Sequence, residues 1–206
     1  MSTATKIDLP PLPRMIFVLS GAIMVEGRAV GAGEAWHGDG AATIEPGEGG
    51  AVCLRFELAP ADAGDGAYAG ARVRSLCKLE ASLDTLPKGD LLWRGDSVAF
   101  PPRGCAYLHR HQGPGIRCLI EGAIRIDTKG HSSHYGPGDA WYEAGPDPVF
   151  AQAAADRPTR FIRVMILPRA LLGKSSIQYV NEADLAKPRT QQYKIFADAP
   201  IQMAAF

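Results

Sequence analysis

Short apolar runs, each closed off by Gly, Pro or Asp, recur along the chain. Residues 15–19, 51–58, 116–126 and 161–167 are dense in Val, Ile, Leu and Phe. That length and those boundaries predict β-strands buried on at least one face. Two more strand-like runs, 177–180 and 193–196, lie near the C-terminus. Helical periodicity is confined to what single turns at 81–86 and 182–186 would need. The Gly-rich stretch 61–71 reads as a surface loop.

The runs are arranged in two copies. Gly21-Ala-Ile, then Gly33-Glu-Ala-Trp36, then Val52 to Leu58 in the first half matches Gly122-Ala-Ile, Gly138-Asp-Ala-Trp141 and Arg160 to Leu167 in the second. Trp36 and Arg55 are 19 positions apart, as are Trp141 and Arg160, and only the first intervening loop differs, by four residues. An internal duplication follows. The second copy has about 50 residues of strand-like sequence before Gly122, whereas only 20 residues, partly Pro-rich, precede Gly21. The expectation is a partial repeat over 1–60, a linker over 61–71, a barrel over 72–168 and a tail over 169–206. The tail's strands are expected to cover the open edge of the first repeat, within the chain or across a dimer.

Composition narrows the class. There are 23 Gly and 16 Pro in 206 residues with 46% hydrophobic content, which suits a turn-rich all-β protein. Lys plus Arg equals Asp plus Glu at 22 each, so charge alone supplies no nucleic-acid or acidic-membrane affinity. Cys53, Cys77, Cys105 and Cys118 show no metal or disulfide spacing and read as reduced thiols of a cytoplasmic protein. The apolar run 15–25 is too short to span a bilayer. No nucleophile elbow, Walker loop or dinucleotide fingerprint is present.

Gly104-Cys-Ala-Tyr-Leu-His109-Arg-His111, followed by Gly115 and Gly122, resembles the first motif of the cupin superfamily, and Tyr135-Gly-Pro-Gly138-Asp-Ala-Trp141 resembles the start of the second. The resemblance implies a double-stranded β-helix, or jelly-roll barrel, in a bicupin-like chain with a degenerate, truncated first copy. It also implies a divalent metal (Fe, Mn, Ni or Zn) on three His and one Glu. Two of those places are filled otherwise, by Gly115 where the Glu belongs and Val149 where the third His belongs.

His109 and His111 are two apart on a predicted strand and so project from one face, the spacing for two imidazoles on one metal. Glu143, on the Trp141 strand face, is the substitute carboxylate, giving two His and one carboxylate with open positions. Gln112 is a weaker candidate, and His131 and His134 fall in a Gly/Ser-rich hairpin loop. Gly115 leaves space beside His111. Arg117 is expected inside the barrel on the His wall, paired with Glu143 or with an anionic ligand. Tyr107 and Trp141 complete the candidate substrate-binding set. The expected protein is a homodimer binding a small, anionic organic molecule at the metal, as an oxygenase, isomerase or lyase. The alternative is a non-catalytic ligand-binding protein that has lost its metal.

Overall fold

A computed structural model describes residues 6–64, 66, 68–70 and 72–201. Every apolar run above falls in antiparallel strands, and the division into compact units comes at residue 80 rather than 71. Residues 81–86 form no helix, and 182–186 form a short 3-10 helix. Residues 65, 67 and 71 of the expected linker lie outside the described residues, and a minimal hairpin, Ala69–Gly70 against Val73–Arg74, follows it.

The first unit is one sheet of β1 (Ile7–Leu9), β2 (Arg14–Val25), β3 (Arg28–Gly31), β4 (Ala35–Gly38) and β5 (Ala42–Glu57), with β2 and β5 long enough to span it. With the hairpin as β6 and β7, the second unit runs β8 (Leu91–Phe100), β9 (Cys105–His111), β10 (Gly115–Glu121), β11 (Ile124–Thr128), β12 (His131–Tyr135), β13 (Ala140–Glu143), β14 (Val149–Ala153), β15 (Thr159–Pro168), β16 (Ile177–Tyr179) and β17 (Gln192–Ile201). These make two five-stranded sheets, ordered β13-β10-β15-β8-β17 and β12-β11-β14-β9-β16. This is a jelly roll. Val98, Phe100, Leu119, Ile124, Trp141 and Phe161 pack as its core, and the alternating burial of β11, β13 and β14 marks which side chains face it.

The duplication is visible in the pairings. The halves of β2 meet β4 and β3 as β10 and β11 meet β13 and β12, so Ile16 faces Trp36 as Arg117 faces Trp141. Gly21 and Gly122 are left-handed alike, at φ +74° and +80°, Gly21 within β2 and Gly122 between β10 and β11. A Cβ at Gly21 would stand 2.0 Å from the Gly50 carbonyl oxygen, and one at Gly122 2.3 Å from that of Pro158. The final strands align differently from the equal spacing of 19. Ile16 faces Arg55 and Arg117 faces Arg163, so Arg163, not Arg160, is the counterpart of Arg55.

Two expectations are corrected. The first repeat is less truncated than its length implied: β1 pairs Leu9 with Ala42 as β9 pairs His109 with Val149, so the Pro-bounded start supplies the counterpart of β9. Within the chain, the described strands of the tail pair in the second unit instead. β16 pairs with β9 and β17 with β8, both in the second unit.

Gly122→Ala is expected to lower unfolding free energy by about 2–3 kcal/mol, because left-handed strain adds to the clash with Pro158. Gly130, at φ +76° with nothing within 4 Å of a Cβ, should cost only about 1 kcal/mol as Gly130→Ala. Equal urea midpoints for the two variants would show that the Pro158 carbonyl does not restrict position 122.

Candidate active site

Two walls face each other across the second unit's interior. β9 brings His109 and His111, while β13, β10, β15 and β8 of the opposite sheet bring Glu143, Arg117, Arg163 and Asp96; all six are buried. Arg117 therefore stands opposite the His wall, not on it. The cavity is bounded also by Val98, Phe161, Trp141 and Tyr193. It measures about 20 Å³, room for about one water molecule.

The imidazoles are oriented from behind. His109 Nδ1 lies 2.7 Å from the Tyr107 carbonyl, which can only accept, so Nδ1 carries the proton. His111 Nδ1 faces Ser176, with Oγ at 3.4 Å and a backbone hydrogen bond that favours the protonated ring nitrogen. Both rings then turn Nε2 into the cavity, 3.3 Å apart, within reach of a hydrogen bond between them. Burial lowers both pKa values, that of His111 well below 6.5, where Arg163, His109 and Arg117 add to the effect. The pair is neutral at pH 7.

The opposite wall is a row of charges. Arg163 forks onto Asp96 at 2.8 and 2.9 Å and sends Nη1 to 3.5 Å from His111 Nε2. Burial opposes its charge, but Asp96 more than offsets this and holds its pKa above the usual guanidinium value. Arg117 is worse served. Burial pulls its pKa down to about 10, only partly countered by Glu143. Its Nη1 donates to the Gly115 carbonyl at 2.6 Å, and its Nη2 lies 2.8 Å from Glu143 Oε2. That last contact is an ion pair without hydrogen-bond alignment, and among the described residues neither atom has a hydrogen-bond partner. Trp141 Nε1 holds the other carboxylate oxygen at 2.8 Å.

These donors suit a small cation in chemistry and nearly in spacing. Ligands about 2.0–2.2 Å from one metal stand roughly 3 to 3.5 Å apart. The two Nε2 atoms meet that, and orphaned Glu143 Oε2 lies 3.8 Å from His111 Nε2. Among the described residues no three His, Cys, Asp or Glu side chains close to metal spacing as they stand. Arg117 holds the third donor back.

The remaining candidates fall elsewhere. β9 carries an extra residue where Val149 pairs with His109 and Ala151 with Ala106, so Tyr107 loses the inward phase of His109. Tyr107 instead meets Lys187, whose Nζ is 4.6 Å from the ring centroid. Trp141 does line the cavity, stacked on Tyr135. Gln112 is no part of its lining, and His131 and His134 sit exposed on β12 rather than in a loop. Gly115 opens no space: a Cβ there would stand 2.4 Å from the Val164 carbonyl oxygen. Its cross-strand partner is Glu143, so the carboxylate comes from one strand over. Arg163, Asp96, Ser176 and Tyr193 were not anticipated. Charged residues inside apolar runs, Phe161-Ile-Arg163-Val and Trp93-Arg-Gly-Asp96-Ser-Val, were the available signal.

No protein-family model matches the chain, nor does any curated protein. Solved structures do. An oxalate decarboxylase of Bacillus subtilis, described for its Mn(II) centres, superposes with TM-score 0.56 at 15% identity over 89% of this chain and 72% of that one. AerE from Microcystis aeruginosa gives TM-score 0.57 at 13% identity, over 82% and 85%. At these identities the likeness is one of fold.

Asp96→Ala leaves the Arg163 guanidinium buried without its carboxylate and should cost about 3–5 kcal/mol of stability by urea titration; a loss below about 1 kcal/mol would show the pair to be dispensable. The depressed histidine pKa values set the sign of a second effect. Below about pH 6.5 the unfolded chain binds protons that the folded metal-free protein refuses. Stability should be intact above pH 7 and fall towards pH 5, and His111→Gln should flatten that slope. Identical slopes for the two proteins would remove His111 from the account.

Proposed function

Because the chain has the cupin fold, we propose that its second unit binds a divalent metal ion at His109, His111 and Glu143, together with a small anionic organic molecule. The convergence of two Nε2 atoms, each ring held by an outward Nδ1 contact, carries this reading. Such outward contacts are how ligating histidines are commonly oriented. An ion of the Fe, Mn, Ni or Zn class would polarise an oxygen of the bound molecule as a Lewis acid.

The protein's own groups do the rest. Trp141 anchors one oxygen of Glu143 and leaves the other towards the His pair. Asp96 and Glu143 balance Arg163 and Arg117, so a divalent ion adds two uncompensated charges to a buried space. An anion relieves that cost, and the two guanidinium groups lie beside the place it would take. The apolar lining of Val98, Phe161 and Val149 excludes water around them. An oxygenase, isomerase or lyase would use such a site.

One observation favours a second reading, a ligand-binding protein without metal. Arg117 already occupies Glu143, and Arg163 Nη1 already approaches His111, so the cluster is electrically balanced as it stands.

Metal analysis decides between them. Protein offered Mn(II), Fe(II), Ni(II) or Zn(II) separately should retain about one ion per chain. His109→Ala and His111→Ala should each weaken retention by more than about a hundredfold, beyond the loss of an outer contact. Wild-type protein that retains none of the four would leave only the second reading.

A further inference from the structure

A cavity with room for one water cannot enclose an organic ligand, so any such ligand extends past it. The edge strand β17 shows where. Tyr193 pairs with Val98 and Ile195 with Asp96, and directly paired residues share one side of a sheet. Val98 lines the cavity and Asp96 holds Arg163, so Tyr193 and Ile195 continue the same wall outwards. That wall is buried at Val98 and Asp96, yet Tyr193 is 47% and Ile195 51% exposed.

Tyr193 belongs to both regions. It lines the cavity, its ring centroid lies 5.6 Å from the Arg163 guanidinium carbon, and half its surface meets solvent. The wall thus passes from the Arg163 guanidinium across β8 to two apolar side chains side by side on the edge strand, Ile195 in the Asp96 row and Tyr193 in the Val98 row. A small dianion would use only the first of these. An exposed aliphatic beside a half-exposed aromatic has no role for a wholly polar ligand.

We propose that the ligand is amphipathic: an anionic head, such as a carboxylate, beside Arg163 and Arg117, with an unbranched apolar tail lying along Tyr193 and Ile195. This rests on the anion-binding part of the function proposed above and not on the metal. The occupant follows from charge complementarity at the inner end and from continuity of the face with the cavity.

Calorimetric titration of the full chain with propanoate, hexanoate and hexan-1-ol tests it, with metal content measured on the same samples. Hexanoate should bind about tenfold more tightly than propanoate, less than the roughly fiftyfold that three fully buried methylenes would give. Hexan-1-ol, lacking the charge, should bind more weakly than hexanoate. In Ile195→Ser and Tyr193→Ser, two substitutions at half-exposed positions, the hexanoate-to-propanoate ratio should fall towards one. Equal affinity for the two acids, no binding of either, or a ratio the substitutions leave intact would overturn the proposal, whatever the metal content. Light scattering covers the other occupant. A dimer that Ile195→Ser dissociates, with no chain-length dependence, would assign the face to a second copy of the chain. Metal uptake without chain-length dependence would sink this inference alone, and chain-length dependence without metal would sink only the metal reading.

Discussion

Arg117 and Arg163 stand directly opposite each other on neighbouring strands, both buried, and the cavity is organised by the need to balance them. Two like charges paired across a sheet repel, so each requires a carboxylate within reach. Asp96, on the strand beyond Arg163, answers one with a two-point contact; Glu143, on the strand beyond Arg117, answers the other with a single misaligned one. That asymmetry is the chemically useful part. It leaves one carboxylate oxygen and one guanidinium nitrogen underused, facing two neutral imidazoles whose Nε2 atoms also point inward.

The neutrality of the imidazoles follows from the same constraint. Burial is the main cause of their lowered pKa values, and the guanidinium groups add to it. A histidine held neutral in this way keeps a lone pair available at a pH where a solvated one begins to take up a proton. The charges of one wall thus set the protonation of the other.

The fold was legible in the sequence because strand periodicity and Gly-bounded turns are local signals. The repeat was legible because Gly21 and Gly122 meet the same backbone obstacle and so tolerate no side chain. His109 and His111 were legible through their two-residue spacing, and Glu143 through its phase with Trp141. What failed depended on pairing partners. One extra residue in β9 took Tyr107 out of phase, and a count of equal spacings chose Arg160 over Arg163. The tail's destination was hidden because an open edge in the first unit gives no measure of the edge that β8 presents. Arg163 and Asp96 escaped because each is a single charge in an apolar run, and only the register shows that the two runs are neighbours.

The first unit shows what the same strand pairings do without the site. Pairing puts Leu9 where the second unit has His109, Ile16 for Arg117, Gly38 for Glu143 and Arg55 for Arg163. Leu9 and Ile16 are buried there with Val18, Ile23, Val25 and Val30 in an apolar core, and Arg55 reaches Glu57 at a partly exposed position. The strand order and the left-handed glycine survive that change. Apolar Leu9 and Ile16 therefore satisfy this fold where the second unit has His109 and the buried Arg117, while Arg55 keeps a guanidinium at the Arg163 position, paired with Glu57. Replacing a buried ion pair by well-packed apolar groups is often neutral or stabilising by about 1–4 kcal/mol. His109, Arg117 and Glu143 are thus not required to build the sheet pairings. Their polar and charged groups are what the proposed binding site adds to a fold that stands without them.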